Sequence, residues 1–318
     1  MSTVSLSSRT AGTFGDRVFR LAAVGAALGV LLILALIVFS TTREAAPAFR
    51  KEGAGFVTGT TWAESQGVFE AGALVYGTML ASTIALVLGV PVAIGIALFT
   101  NEVAPRRARK PIVYILDLLA AIPSVVYGMW GIAVAAPVLL GWYDRISQAT
   151  AGWPVLGTLF AGPVQGRGFM TAGLILAIMI TPIVTSVARE VFATVPQDQK
   201  NGALALGSTR WEMIRGVVLP HSGRGLVAAV ILGLGRAMGE TIAVALVIGG
   251  VGQITGRLFA SGDAMAAIIA NQFGEAAGLH RSSLIGLGVV LFAMTILVNV
   301  VAQAVLTRGR RGIGAAIA

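Results

Sequence analysis

The sequence contains no cysteine, so no disulfide can brace it and no thiolate can act as nucleophile or metal ligand. Only two histidines occur, His221 and His280, and neither sits in a metal-ligand spacing, so no metal and no cofactor are expected. Charged residues make up 12% of the chain, against about 25% for an ordinary soluble domain. Lysine is scarcest: Lys51, Lys110 and Lys200 are the only ones, and none follows a glycine at the spacing of a nucleotide-binding phosphate loop. Gly233-Leu-Gly235-Arg-Ala-Met-Gly239 has the wrong spacing for a dinucleotide fingerprint, and no strand pattern precedes it. No Ser/His/Asp order and no paired-carboxylate site stands out. The chain is expected to be no enzyme, and energy for any transport must come from an ion gradient or from another polypeptide.

What the sequence does have is apolar length. Hydrophobic residues are 56% of the 318, which excludes disorder. Apolar runs of 18 or more residues recur, the signature of membrane-spanning helices. The expected fold class is all-α, a polytopic membrane protein with six transmembrane helices. Spans are expected at about 18–40, 73–100, 111–140, 168–188, 225–250 and 283–306. The corresponding layout is an N-terminal cytoplasmic tail (1–17), a first transmembrane helix (18–41), an external loop (42–72), a core with five further spans (73–306) and a basic cytoplasmic tail (307–318). Aromatic-rich residues 141–167 read as an interfacial external loop, 251–282 as a glycine-rich one, and His280 as a surface group beside the sixth span. With both termini inside, roughly two-thirds of the 23 Lys and Arg fall on the cytoplasmic side, including Arg9, Arg308, Arg310 and Arg311. The net charge of +9 therefore belongs to topology; it is too dispersed for a nucleic-acid surface, and no nucleic-acid partner is expected.

Between the fourth and fifth spans lies a polar segment, 196–220. Gln199–Leu206 should be helical, Gly207 can end that helix in a left-handed conformation, and Trp211, Ile214 and Val218 recur at helical spacing as an apolar stripe. Two short helices joined by a glycine turn make a compact knob. Here the sequence resembles the ABC-importer permeases, whose signature is Glu-Ala-Ala, three residues, Gly, nine residues, Ile-x-Leu-Pro. This chain has Asn201-Gly202-Ala203, then Gly207, then Val217-Val218-Leu219-Pro220 at the same offsets. Asn201 and Gly202 replace the family's Glu and first Ala, so a contact made through that glutamate is in doubt. The resemblance implies that 199–211 docks into an ATPase subunit, with Asn201, Ala203, Gly207, Leu219 and Pro220 as the ATPase-coupling positions.

The fifth span carries Arg236 and Glu240, at a spacing that would put both on one helix face. Charges at such depth are costly unless paired or facing a polar cavity. Two roles are open: an ion pair locking the helix to its neighbours, or a site on the transport path where guanidinium meets an oxyanion. Phosphate near neutral pH keeps a hydroxyl proton that a carboxylate can accept, and sulfate does not; Glu240 beside Arg236 would favour phosphate, with Thr241 as an extra donor. Three further segments resemble the phosphate permeases within the family: Leu118-Leu-Ala-Ala-Ile122-Pro-Ser-Val-Val-Tyr127-Gly-Met-Trp-Gly131, Gly173-Leu-Ile-Leu-Ala-Ile-Met-Ile-Thr-Pro182-Ile-Val-Thr and Gly233-Leu-Gly-Arg-Ala-Met-Gly-Glu240-Thr-Ile-Ala-Val. The resemblance covers about 70–306. It implies a phosphate importer in the bacterial inner membrane, partnered in the lipid bilayer by a second permease, two cytoplasmic ATPase subunits and an external phosphate-binding protein. The alternatives are a permease for sulfate or molybdate, or a non-transporting membrane scaffold.

Overall fold

The structure, a computed structural model, describes residues 14–162 and 164–314, with side chains from 15 to 304. Arg9 and the side chains of Arg308, Arg310 and Arg311, assigned above to the tails, lie outside the described residues. The main helices are α1 (Phe14–Glu52), α2 (Gly72–Leu98, extended by a π-helical turn Phe99–Val103), α3 (Arg106–Ala121), α4 (Ser124–Thr150), α5 (Phe169–Ala193), α6 (Gln197–Ala205), α7 (Arg210–Gly239), α8 (Ile242–Val247), α9 (Met265–Gln272) and α10 (Gly278–Gly314). Six of them, all but α3, α6, α8 and α9, are long and apolar enough to cross a membrane. Helices suit such runs because every backbone group is then satisfied within the segment.

The most buried of these spans, α5, packs along α2 and α7. Small residues set the close approach. A Cβ on Gly173 would lie 2.4 Å from Ile84 Cγ2, and one on Gly77 would lie 1.9 Å from the Asp263 carbonyl oxygen. Around α5 the core gathers Ile175, Leu176, Ile180 and Val184 with Ala81, Ala85, Ala243 and Val247. The helix α1 runs outside this core and packs on α10, where Ala48 of α1 and Phe56, just beyond its end, share a second core with Leu284 and Leu287.

Several expected boundaries move, each for a local reason. The stretch expected as one third span, 111–140, is two helices: α3 stops at Ala121, and Ile122 (ψ 127°) and Pro123 (ψ 142°) are extended. A residue before proline is pushed out of the α region, so the span begins at Ser124. It then runs through Pro137, just after a π-helical turn, Gly131–Ala135. It also extends to Thr150, so the first third of the expected 141–167 loop is helical. Tyr143, taken as an interfacial aromatic, is buried, with its hydroxyl 3.1 Å from Thr171 Oγ1 and its ring stacked on Phe259. The fifth span starts earlier than expected and ends earlier too, at Gly239, not Gly250.

Outside the spans, α1 continues to Glu52, and a two-stranded hairpin, β1 (Trp62–Ala63) with β2 (Val68–Phe69), follows. His280 is buried beneath this hairpin: it stacks on Phe69 and lies 3.0 Å from Gln272 Oε1 and 3.1 Å from Glu64 Oε1. The expectation of a surface histidine is corrected, because the hairpin folds back over the start of α10. The 251–282 segment likewise holds α9, whose Met265 and Ile268 enter the same core as Leu284.

Candidate translocation site and coupling surface

The site begins with a helix break. Helix α7 ends at Gly239, Glu240 is extended (φ −71°, ψ 127°), and α8 restarts at Ile242. Arg236 and Glu240 are therefore not on one uninterrupted helix face, as their spacing suggested. They nonetheless meet, with Arg236 Nη2 3.8 Å from Glu240 Oε2. At that distance the contact is a loose ion pair rather than a bidentate one. The two side chains differ sharply in exposure, 49% for Arg236 and 7% for Glu240. Among the described residues the guanidinium has no other ion-pair partner, which leaves most of its five N–H donors for something else.

Arg236 lines an open cleft of about 480 Å³ together with Ile183, Ala228, Ile231, Leu232, Gly235 and Asn299. Asn299, on α10, escaped the sequence reading. The signal was present: a lone amide inside an otherwise apolar span, in a solvent where polar groups are expensive. Irregular backbone within a membrane span is tolerated where it is buried in protein or lines a cavity, and the break at Glu240 adjoins this cleft through Arg236. Thr241 contributes less than expected. Its hydroxyl donates to Gly239 O at 3.2 Å, so it must leave that bond before it can serve an anion.

The knob forms as its glycine turn requires. Helix α6 ends at Ala205, and Gly207 is left-handed (φ 88°). A capping box then starts α7: Glu212 N–H donates to Thr209 Oγ1 at 3.3 Å and Thr209 N–H to Glu212 Oε2 at 2.8 Å. One side of the knob is anchored. Ala203, Met213, Ile214, Val218 and Leu219 pack with Ala97, Ala188 and Phe192 from the ends of α2 and α5. The other side is bare, with Leu206 89% and Trp211 63% exposed. Trp211 thus leaves the stripe expected with Ile214 and Val218; Met213 takes the inward place. Asn201, Gly207 and Pro220 are exposed as well.

Six apolar helices, a broken fifth span with a guanidinium in an open cleft, and a knob with bare apolar side chains define an inner-membrane permease of the ABC-importer type. Two solved structures share the fold. One is an inward-facing MetNI methionine ABC transporter (TM-score 0.50, 18% identity, 73% of this chain and 90% of that one). The other is a bacterial ABC transporter involved in import of the acidic polysaccharide alginate (TM-score 0.50, 17% identity, 91% and 99%).

The chain belongs to the family described as binding-protein-dependent transport system inner membrane component, which matches residues 86–312. Its relatives include the phosphate transport system permease protein PstC of Xylella fastidiosa, 42% identical over 294 residues (92% of this chain, 91% of the relative). PstC of Mesorhizobium japonicum is 42% identical over 295 residues (92% and 90%). PstC 2 of Mycobacterium tuberculosis is 41% identical over 306 residues (92% and 91%).

Proposed function

We propose that the chain is the PstC-like permease subunit of an ATP-driven phosphate importer. The observation that carries the reading is the half-exposed Arg236 guanidinium in its cleft, held loosely beside the buried Glu240 carboxylate. Arg236 supplies charge and a fork of donors for an oxyanion. Glu240 accepts a hydrogen bond from a phosphate hydroxyl and, by its charge, keeps the anion from being held too long. Asn299, on the same cleft, is a second polar contact. The chain performs no bond chemistry.

The importer needs more than this chain. A second, PstA-like permease completes the path, a PstS-like external protein delivers phosphate, and two PstB-like ATPases drive the cycle. Leu206 and Trp211 give the knob the apolar surface that such an ATPase would cover. Both termini and the 196–220 segment then face the cytoplasm, the side favoured by their lysines and arginines. The test is purification of the tagged chain from its own cell, followed by reconstitution. A copurifying ATPase and ATP-dependent uptake of labelled phosphate that excess sulfate leaves unchanged are expected. Sulfate uptake, or no bound ATPase, would overturn the reading.

A further inference from the structure

Helix α6 is exposed along its length except at Ala203, half-buried against the ends of α2 and α5, and at one fully buried residue, which is a lysine. Asp198, Gln199, Asn201 and Gly202 face outward, whereas Lys200 is buried. Its Nζ lies 2.6 Å from Glu102 Oε1, and the two side chains are only 9% and 8% exposed. Glu102 sits in the π-helical turn Phe99–Val103 that ends α2. Its neighbour in that turn, Asn101, donates from Nδ2 to the Arg189 carbonyl at 2.8 Å, near the end of α5. One turn of backbone thus grips both sides of the link between α5 and the knob.

A short ion pair withdrawn from water behaves differently from the apolar contacts beside it. Ala203 and Met213 can slide against α2 and α5 with little change in burial. Lys200 cannot move an ångström or two from Glu102 without leaving two desolvated charges unpaired. Displacement of α6 must therefore carry the end of α2 with it. Helix α2 is a long element packed along α5 and touching α7, the helix that bears Arg236. A pull on the knob then reaches the spans through a noncovalent strap as well as along the chain through Val195 and Pro196.

We infer that Glu102 and Lys200 are positioning residues that tie movement of the knob to α2, so that ATP turnover is converted into opening and closing of the path. The inference rests on the transport function proposed above. The experiment is phosphate taken up per ATP hydrolysed, measured in proteoliposomes holding the complete importer. Three forms are compared with the parent: Glu102→Gln, the apolar pair Glu102→Leu with Lys200→Met, and the reversed pair Glu102→Lys with Lys200→Glu.

The apolar pair removes both charges and leaves no unpaired ion, so it should assemble with its ATPase even if Glu102→Gln does not. The expected result is a fivefold or greater fall in uptake per ATP for the apolar pair, with ATP hydrolysis within twofold of the parent. The reversed pair should recover at least half of the parental ratio. An apolar pair with the parental ratio, or one that loses bound ATPase together with uptake, would overturn the inference and leave the phosphate reading intact. No ATP-driven uptake by the parent would overturn both.

Discussion

Glu240→Gln tests how the site tells phosphate from sulfate. The carboxylate is almost fully buried and lies 3.8 Å from the half-exposed Arg236 guanidinium, so an anion reaching Arg236 comes within its range. Phosphate offers a hydroxyl that Glu240 can accept. Sulfate offers only lone pairs, which the carboxylate repels. Hydrogen bonds to charged groups contribute about 1.5–3 kcal/mol, and each 1.4 kcal/mol is about tenfold in affinity. The carboxylate should therefore favour phosphate over sulfate by roughly 10- to 100-fold. A glutamine of the same shape can donate its amide N–H to either anion and carries no repelling charge, so that preference should fall by the same factor. The assay is uptake of labelled phosphate into proteoliposomes over a series of sulfate concentrations. Inhibition by sulfate should appear in the variant at concentrations the parent ignores. A competition curve identical to the parent's would refute the reasoning, and Glu240 would be a structural partner of Arg236 and no more.

Other perturbations read other parts of the molecule. Leu206→Ala with Trp211→Ala strips the bare side of the knob, so copurified ATPase should drop at least tenfold while the purified chain melts within a few degrees of the parent; unchanged ATPase recovery would contradict that surface. Gly77→Ala would set a methyl 1.9 Å from the Asp263 carbonyl oxygen, and overpacking of this kind typically costs about 1–3 kcal/mol, visible as a lower melting temperature in detergent. Burial pushes the Asp263 carboxyl up to about 6, against a partial offset from the Ala264 N–H. Because the folded value is raised, the folded state holds its proton more tightly than the unfolded chain. The associated stability is complete below about pH 4 and is lost as pH rises through 6, an effect on the order of 3 kcal/mol. Asp263→Asn should flatten that part of the melting-temperature profile, and an unaltered profile would assign the dependence elsewhere.

The spans were legible because twenty apolar residues in a row leave few alternatives, and the left-handed turn at Gly207 followed from a glycine ending a short polar helix. Boundaries were less legible. Pro123 breaks its stretch, whereas Pro91, Pro137 and Pro182 lie inside helices, so proline alone does not say where a span begins. Glu240 leaves the helix yet keeps its partner, a combination that spacing cannot express. His280 reads as a surface group, and nothing in the sequence marks Lys200 for burial, because their partners, Gln272 and Glu102, become neighbours only once α9 meets α10 and α2 meets α6. Asn299 was visible as a polar residue in an apolar run, but only the cleft ties it to Arg236.

The central claim is that phosphate crosses past Arg236. It is tested most directly by ATP-driven phosphate uptake in proteoliposomes holding the importer with Arg236→Gln, alongside a parent sample of equal ATPase content. Loss of a guanidinium contact to an anion should lower uptake at least tenfold while the subunits stay assembled. Uptake within twofold of the parent would remove Arg236 from the path and contradict the account.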